Sequence, residues 1–379
     1  MNDFMRVPFV SLDRQYRHLR KEMLDAFDTV GRSGIYVLGD KVQEFEQSCA
    51  NYCGTRYALA VANGTDALFL MLKALDIGHG HEVITAPNSF IATAGAVIAA
   101  GATPIFVDVT PDLNIDVQRI EAAITKRTRA LLPVHLMGKP ARMDEINAIA
   151  ARHNMAVIED AAQAIGARYK GRRVGSLGTA GCFSLHPLKN LHVYGDGGLI
   201  TTDNKDLYER LRTLRNHGLI SRDECSEWGY NSRLDALQAA LALVKLRHLE
   251  AWTARFRDIA RRYLSGLAGL VGLPVEHDYE ECVYHNFVIR VPDRQPLADY
   301  LLSRGIETKV HYPIPIHLQA PARKMGYKVG DFPVTESLSS QILSLPIYAE
   351  LSDDEAAYVV NCIRDYYSRR VQAGKGMSA

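Results

Sequence analysis

Three stretches of the chain hold residues whose types and spacing could do chemistry. In Gly181-Cys-Phe-Ser-Leu-His-Pro-Leu-Lys189, continuing through Asn-Leu-His-Val-Tyr-Gly-Asp-Gly-Gly198, an apolar run passes a proline, presents one lysine and closes on glycines that let the backbone turn. That order places Lys189 at a mouth and not in a core. Its stem, among Phe183, Leu185, Leu188 and Leu191, is partly desolvated, which disfavours the ammonium form and leaves a nucleophilic amine able to form a Schiff base. Taken alone, the same lysine also reads as a surface residue beside a hairpin turn. Asp160 ends the apolar run Met155-Ala-Val-Ile-Glu-Asp160, where a buried carboxylate needs a cationic partner to offset its desolvation, and a protonated pyridine nitrogen would serve. Asn63-Gly64-Thr65-Asp66 puts backbone N–H groups and a hydroxyl at a helix start, which is a site for a phosphate or an ordinary helix cap.

The elements that must position these residues follow from periodicity. Short apolar runs at 57–62, 82–86, 103–108, 129–135 and 155–160 alternate with helical patterns at 67–75, 91–100, 116–124 and 143–153. Strands at 181–185 and 198–202 bring the count to about seven. Continuous apolar strands alternating with helices predict a mainly parallel sheet covered on both faces, and in such sheets ligands bind beyond the carboxyl ends of the strands. Further helices are expected at 13–30, 42–52, 207–215, 234–249 and 252–270. Beyond about 246 the composition shifts to a smaller α+β unit, with strands at 284–291 and 307–312, a helix at 297–304 and a capped helix at 352–367. The expected division is an arm at 1–12, a large α/β domain at 13–245, a small domain at 246–370 and a disordered tail at 371–379.

Composition narrows the function classes. The 379 residues carry 44 Lys plus Arg against 43 Asp plus Glu, a net +1 with no basic excess to suggest nucleic acid. The start of the chain lacks the pattern of a signal peptide, and no segment stays apolar long enough to span a membrane, so a cytoplasmic location is expected. Six scattered cysteines lack metal-site spacing and read as reduced thiols, and no metal is expected.

Phosphate cradle, ring-nitrogen carboxylate and Schiff-base lysine are together what pyridoxal phosphate requires. In this order they make the chain resemble, over nearly its whole length, the DegT/DnrJ/StrS family of sugar aminotransferases. That likeness implies the fold of pyridoxal-phosphate-dependent transferases of fold type I, and it places the family's motifs on particular residues. Gly64 and Thr65 fall on the phosphate turn, with Ser184 as a second phosphate contact. Phe90 falls on the ring that stacks on the cofactor, and Asp160 and Gln163 on the contacts to the pyridinium and the phenolic oxygen. Lys189 falls on the Schiff-base lysine. Asn231, in Gly229-Tyr-Asn-Ser-Arg-Leu-Asp235, matches a residue that reaches the neighbouring subunit's cofactor phosphate, which implies a homodimer with shared sites. Arg233, His311, Tyr312 and His317 become candidates for substrate contact, although the histidines can equally bridge turns.

The family resemblance further implies transfer of an amine from L-glutamate to a nucleotide-linked keto-sugar. One branch of the family has histidine in place of the lysine and removes a hydroxyl; this chain keeps Lys189. The Gly195-Asp-Gly-Gly198 turn, in place of a Glu-Gly-Gly version, tilts the reading towards a 3-keto sugar. A keto-cyclitol acceptor and a non-catalytic sensor on the same fold are the alternatives. His192-Val-Tyr194 stands where many relatives carry smaller residues, and its bulk either shapes the sugar pocket or fills a subunit contact.

Overall fold

The strand Ala156–Asp160 lies near the middle of a seven-stranded sheet in the computed structural model, which describes residues 5–376. Across the sheet the order is Tyr57–Val61, Gly198–Thr202, Ala180–Ser184, Ala156–Asp160, Thr128–Leu131, Glu82–Thr85 and Thr103–Phe106. Gly198–Thr202 pairs antiparallel with both neighbours, and the remaining pairings are parallel. The sheet is therefore mainly parallel, as its apolar strands imply. Helices cover both faces, burying one core that includes Ile84, Leu131, Val157 and Phe183 and another that includes Leu59, Leu70, Ile158 and Ile200.

A separate core gathers Val7, Tyr263, Phe287, Leu297, Ile306, Leu345 and Ile363. Val7 belongs to the expected arm, yet it is fully buried here and bridges Ile306, so the arm at Val7 is part of this smaller body. Three further expectations are corrected. The helices expected at 234–249 and 252–270 are one helix, Ala236–Leu267, and the boundary expected at 246 falls inside it. Its alanine-rich first half packs on the sheet, whereas Ile259, Ala260, Tyr263 and Leu267 enter the smaller core. The strand expected at 307–312 does not form. Only isolated bridges at Ile306 and Lys309 occur before Pro313 and Pro315, which cannot donate to a ladder. Phe287–Arg290 pairs instead with Ile342–Leu345, antiparallel. The last helix, Asp353–Gly376, is opened by a reciprocal cap in which the Glu355 N–H donates to Ser352 Oγ (3.1 Å) and the Ser352 N–H to Glu355 Oε2 (2.9 Å). This helix runs past Arg370, where a disordered tail was expected; residues 377–379 lie outside those described.

Candidate active site

Beyond the carboxyl ends of the parallel strands lies a cavity of about 360 Å³ lined by Asn63, Gly64, Thr65, Phe90, Asp160, Gln163, Ser184, Lys189, His311 and Tyr312, among others. Its floor is the N-terminus of the helix Gly64–Ala74. Asn63 caps it by accepting from the Asp66 N–H (2.8 Å), and Ser232 Oγ braces the turn by donating to Asp66 Oδ2 (2.7 Å). Glycine is required at 64 because a Cβ there would stand 2.8 Å from Ser184 Cβ. That close approach brings Ser184 beside the turn from 120 residues further along the chain, giving one cradle of N–H and hydroxyl donors.

Asp160 is 4% exposed and, among the described residues, takes hydrogen bonds only from neutral donors: Thr93 Oγ1 (2.7 Å) to one oxygen and the Ala162 N–H (3.2 Å) to the other. Burial pushes its carboxyl up, opposed by those bonds and by Lys189. Among the described residues no cation forms an ion pair with it, so the site holds a buried acid that lacks a counterion. Lys189 sits half-buried, its backbone turned by a bond from its N–H to the His186 carbonyl (2.8 Å). Burial brings its amine down to about 8, against the pull of Asp160, so a sizeable fraction is nucleophilic near neutral pH.

Gln163 is anchored at one end, where Oε1 accepts from the Met137 N–H (2.7 Å), and its Nε2 donates to the Tyr312 hydroxyl (3.2 Å). Tyr312 in turn lies 5.7 Å from Phe90, centroid to centroid, so the two rings flank the cavity, and burial holds the phenol up at about 12. His311 bonds Ser344 Oγ through Nδ1 (2.9 Å), and burial together with Lys189 lowers it to about 4. His285 Nδ1 lies 3.2 Å from Asn190 Oδ1; since the Asn190 amide nitrogen already donates to Val283 O (3.2 Å), the imidazole must be the donor. Burial and the same lysine keep His285 neutral.

Of the twelve residues nominated from the sequence, the cavity gathers nine: Gly64, Thr65, Phe90, Asp160, Gln163, Ser184, Lys189, His311 and Tyr312. Asn231 is exposed and bridges Asn216, and Arg233 donates to Asn216 Oδ1 (2.9 Å), so both lie outside this chain's cavity. His317 is 0% exposed, pairs with Glu336 (3.0 Å) and packs on the Phe332 ring, away from the cavity. Its place is a turn-bridging one, and the expected substrate contact has no geometric basis. Sequence reasoning missed Ser89 and Thr93, which reach Asp160 in series, and His285 and Asn286. Those last two were hidden inside an expected strand, whereas Tyr284 has a positive φ and turns the chain towards the cavity.

A lysine amine, a buried acid without a counterion and a donor-lined helix start, set together at the edge of a large mainly parallel sheet, define the class of pyridoxal-phosphate-dependent enzymes, whose cofactor these residues fit. The sequence profile of the DegT/DnrJ/EryC1/StrS aminotransferase family matches residues 17–364, and the chain belongs to that family. It is 45% identical to the dTDP-3-amino-3,4,6-trideoxy-alpha-D-glucose transaminase of Streptomyces venezuelae, over 97% of this chain and 98% of that one. It is 44% identical to a protein of Geobacillus stearothermophilus named pleiotropic regulatory protein, over 96% and 99%. The crystal structure of S. venezuelae DesV in complex with a ketimine intermediate superposes with a TM-score of 0.94 at 45% identity, covering 95% of this chain and 98% of that one.

Proposed function

We propose that this aminotransferase moves an amino group from L-glutamate to a nucleotide-linked keto-sugar, with the keto group at carbon 3 favoured, and that it does so as a cytoplasmic homodimer with shared sites. The observation that carries the reading is the presence, in one cavity, of a lysine amine brought down to about 8 and a buried carboxylate that forms no ion pair among the described residues. When bound, pyridoxal phosphate supplies an aldehyde that takes up amines and a protonated ring that spreads carbanion charge. Asp160 would hold the ring N–H, oriented by Thr93. Gly64, Thr65 and Ser184 would hold the phosphate, and Phe90 would cover one face of the ring. Lys189, once its amine is free and neutral, would take the proton from the donor carbon and carry it across the nitrogen to the cofactor's own aldehyde-derived carbon. Tyr312 and His311 stand on the substrate side.

The 3-amino product in the name of the S. venezuelae relative supports carbon 3. Support for sharing comes from the loop that ends at Asn231: it presents Trp228 at 94% exposure, a large apolar surface that a second subunit would cover. Tyr16, Leu24, Phe27, Ile35, Tyr36 and Val37 form further exposed apolar surface on and after the helix Leu12–Ser33. The six cysteines, all unpaired, suit a reducing compartment.

The name of the Geobacillus relative favours a second reading, a regulator on the same fold. Adding L-glutamate to the yellow holoprotein separates them: loss or shift of the visible band marks the donor half-reaction, and an unchanging spectrum defeats the enzyme reading. A panel of nucleotide-linked 3-keto and 4-keto sugars and keto-cyclitols, offered to the aminated enzyme, then identifies the acceptor.

A further inference from the structure

The long helix Ala236–Leu267 carries a lysine that the proposed reaction does not use. Lys245 is 0% exposed, and among the described residues no acceptor lies within hydrogen-bond reach of its amine. Its Nζ rests instead over the ring of Tyr194, 4.2 Å from the centroid. A buried amine without an acceptor costs stability, and a ring face recovers only part of that cost. A methionine of similar length would fill the space without the penalty. The presence of lysine here calls for a reason other than stability.

That reason lies one step along the chain. Two helical turns before Lys245, Gln238 grips the backbone of Tyr194 from both sides: the Tyr194 N–H donates to Gln238 Oε1 (2.9 Å), and Gln238 Nε2 donates to the Tyr194 carbonyl (2.7 Å). The segment from Lys189 to Tyr194 is itself tightly tied. His192 Nδ1–H donates to the Lys189 carbonyl (2.8 Å), and the Val193 N–H donates to Leu185 O (2.9 Å). His192 is buried, and burial with Lys245 beside it lowers it to about 3, which keeps the ring neutral. Tyr194, whose bulk could have shaped the sugar pocket, does not line the active-site cavity; its ring lies against Lys245 and edge-on to Tyr16.

We infer that Lys245 and Tyr194 form a positioning pair for Lys189: amine against ring, with Gln238 on the backbone, pins the segment that carries the reactive lysine to the long helix. The groups facing Lys245 are the Tyr194 ring, His192 and Glu350; Glu350 favours its charged form, and burial brings the amine down to about 7. The inference rests on the reading of Lys189 as the reactive amine, and its test includes readings that do not depend on turnover.

Three variants test it: Lys245→Met, Tyr194→Leu and Tyr194→Phe. In cofactor-free protein, amide exchange of residues 190–195 is expected to quicken in Lys245→Met and Tyr194→Leu and to stay at the wild-type rate in Tyr194→Phe, which keeps the ring. Thermal melting of Lys245→Met should be unchanged or higher. In holoprotein the same two variants should lose on the order of tenfold or more in the rate of the glutamate half-reaction with KM little altered, because a lysine displaced by a fraction of an ångström still binds donor but meets its proton poorly. Tyr194→Phe should retain most of the rate. Wild-type exchange and rate in Lys245→Met would overturn the inference, as would a Tyr194→Phe protein that fails as badly as Tyr194→Leu, or a drop in melting temperature that accounts for the loss in Lys245→Met. If exchange behaves as expected while wild-type protein shows no response to glutamate, the positioning pair stands and the proposed function falls.

Discussion

Asp160 and Lys189 share a cavity yet are pushed in opposite directions from their ordinary values, the acid up and the amine down, by the same cause: burial. Each is thereby held nearer its neutral form until a charged partner arrives. For Asp160 that partner is a ring nitrogen, and Asp160→Asn, which cannot hold a pyridinium, should slow the glutamate half-reaction by about 10²–10³, the range found when one preorganised electrostatic contact is lost. Stopped-flow absorbance of holoprotein checks this. For Lys189 the sign runs the other way. Only the neutral amine can attack an aldehyde, so the rate at which cofactor-free protein captures pyridoxal phosphate should rise about tenfold per pH unit below 8 and level off above it. A rate independent of pH from 6 to 9 would show that the amine is not brought down. Both residues were legible in the sequence, Asp160 because it closes an apolar run at the end of a strand and Lys189 because it follows one through a proline and precedes a glycine turn. Thr93 was not: it sits in a helix of small residues, and its bond to Asp160 joins positions 67 apart that only the sheet order brings together.

At the level of elements, the phosphate cradle depends on two glycines that serve by having no side chain. A Cβ on Gly198 would stand 2.2 Å from the Asn63 carbonyl oxygen, and one on Gly64 would strike Ser184. Gly198→Ala should therefore push the turn at 63–66 off the strand, costing about 1–3 kcal/mol of stability and more than tenfold in cofactor affinity. Melting and a cofactor titration measure the two effects. The alternation of apolar strand and helix made the large sheet readable, with all seven of its strands expected near their places. The smaller body was less so, since its second strand, Ile342–Leu345, follows a helix with no turn signal, and the stretch before Pro313 looks extended in sequence but is drawn towards the cavity. Tertiary pairing decided both, and local pattern carries no trace of it.

In the whole molecule, Asn231 and Arg233 lie outside the cavity of their own chain although the turn they flank is braced to it through Ser232. If sites are shared, a chain bearing Lys189→Ala and another bearing Asn231→Ala should complement when unfolded, mixed and refolded, and random pairing gives intact sites in roughly a quarter of positions. Activity no greater than the sum of the separate variants would count against sharing. One feature of the architecture bears on how substrates enter. The helix Ala236–Leu267, 32 residues and thus about 48 Å of unbroken hydrogen-bonded rod, is embedded by its first half beneath the sheet and by its second half in the smaller core. Jaw-like closure of one body on the other would have to bend that rod. Admission of a bulky sugar nucleotide then falls to the surface loops around Tyr312 and Trp228, and small-angle scattering profiles recorded with and without substrates should overlay.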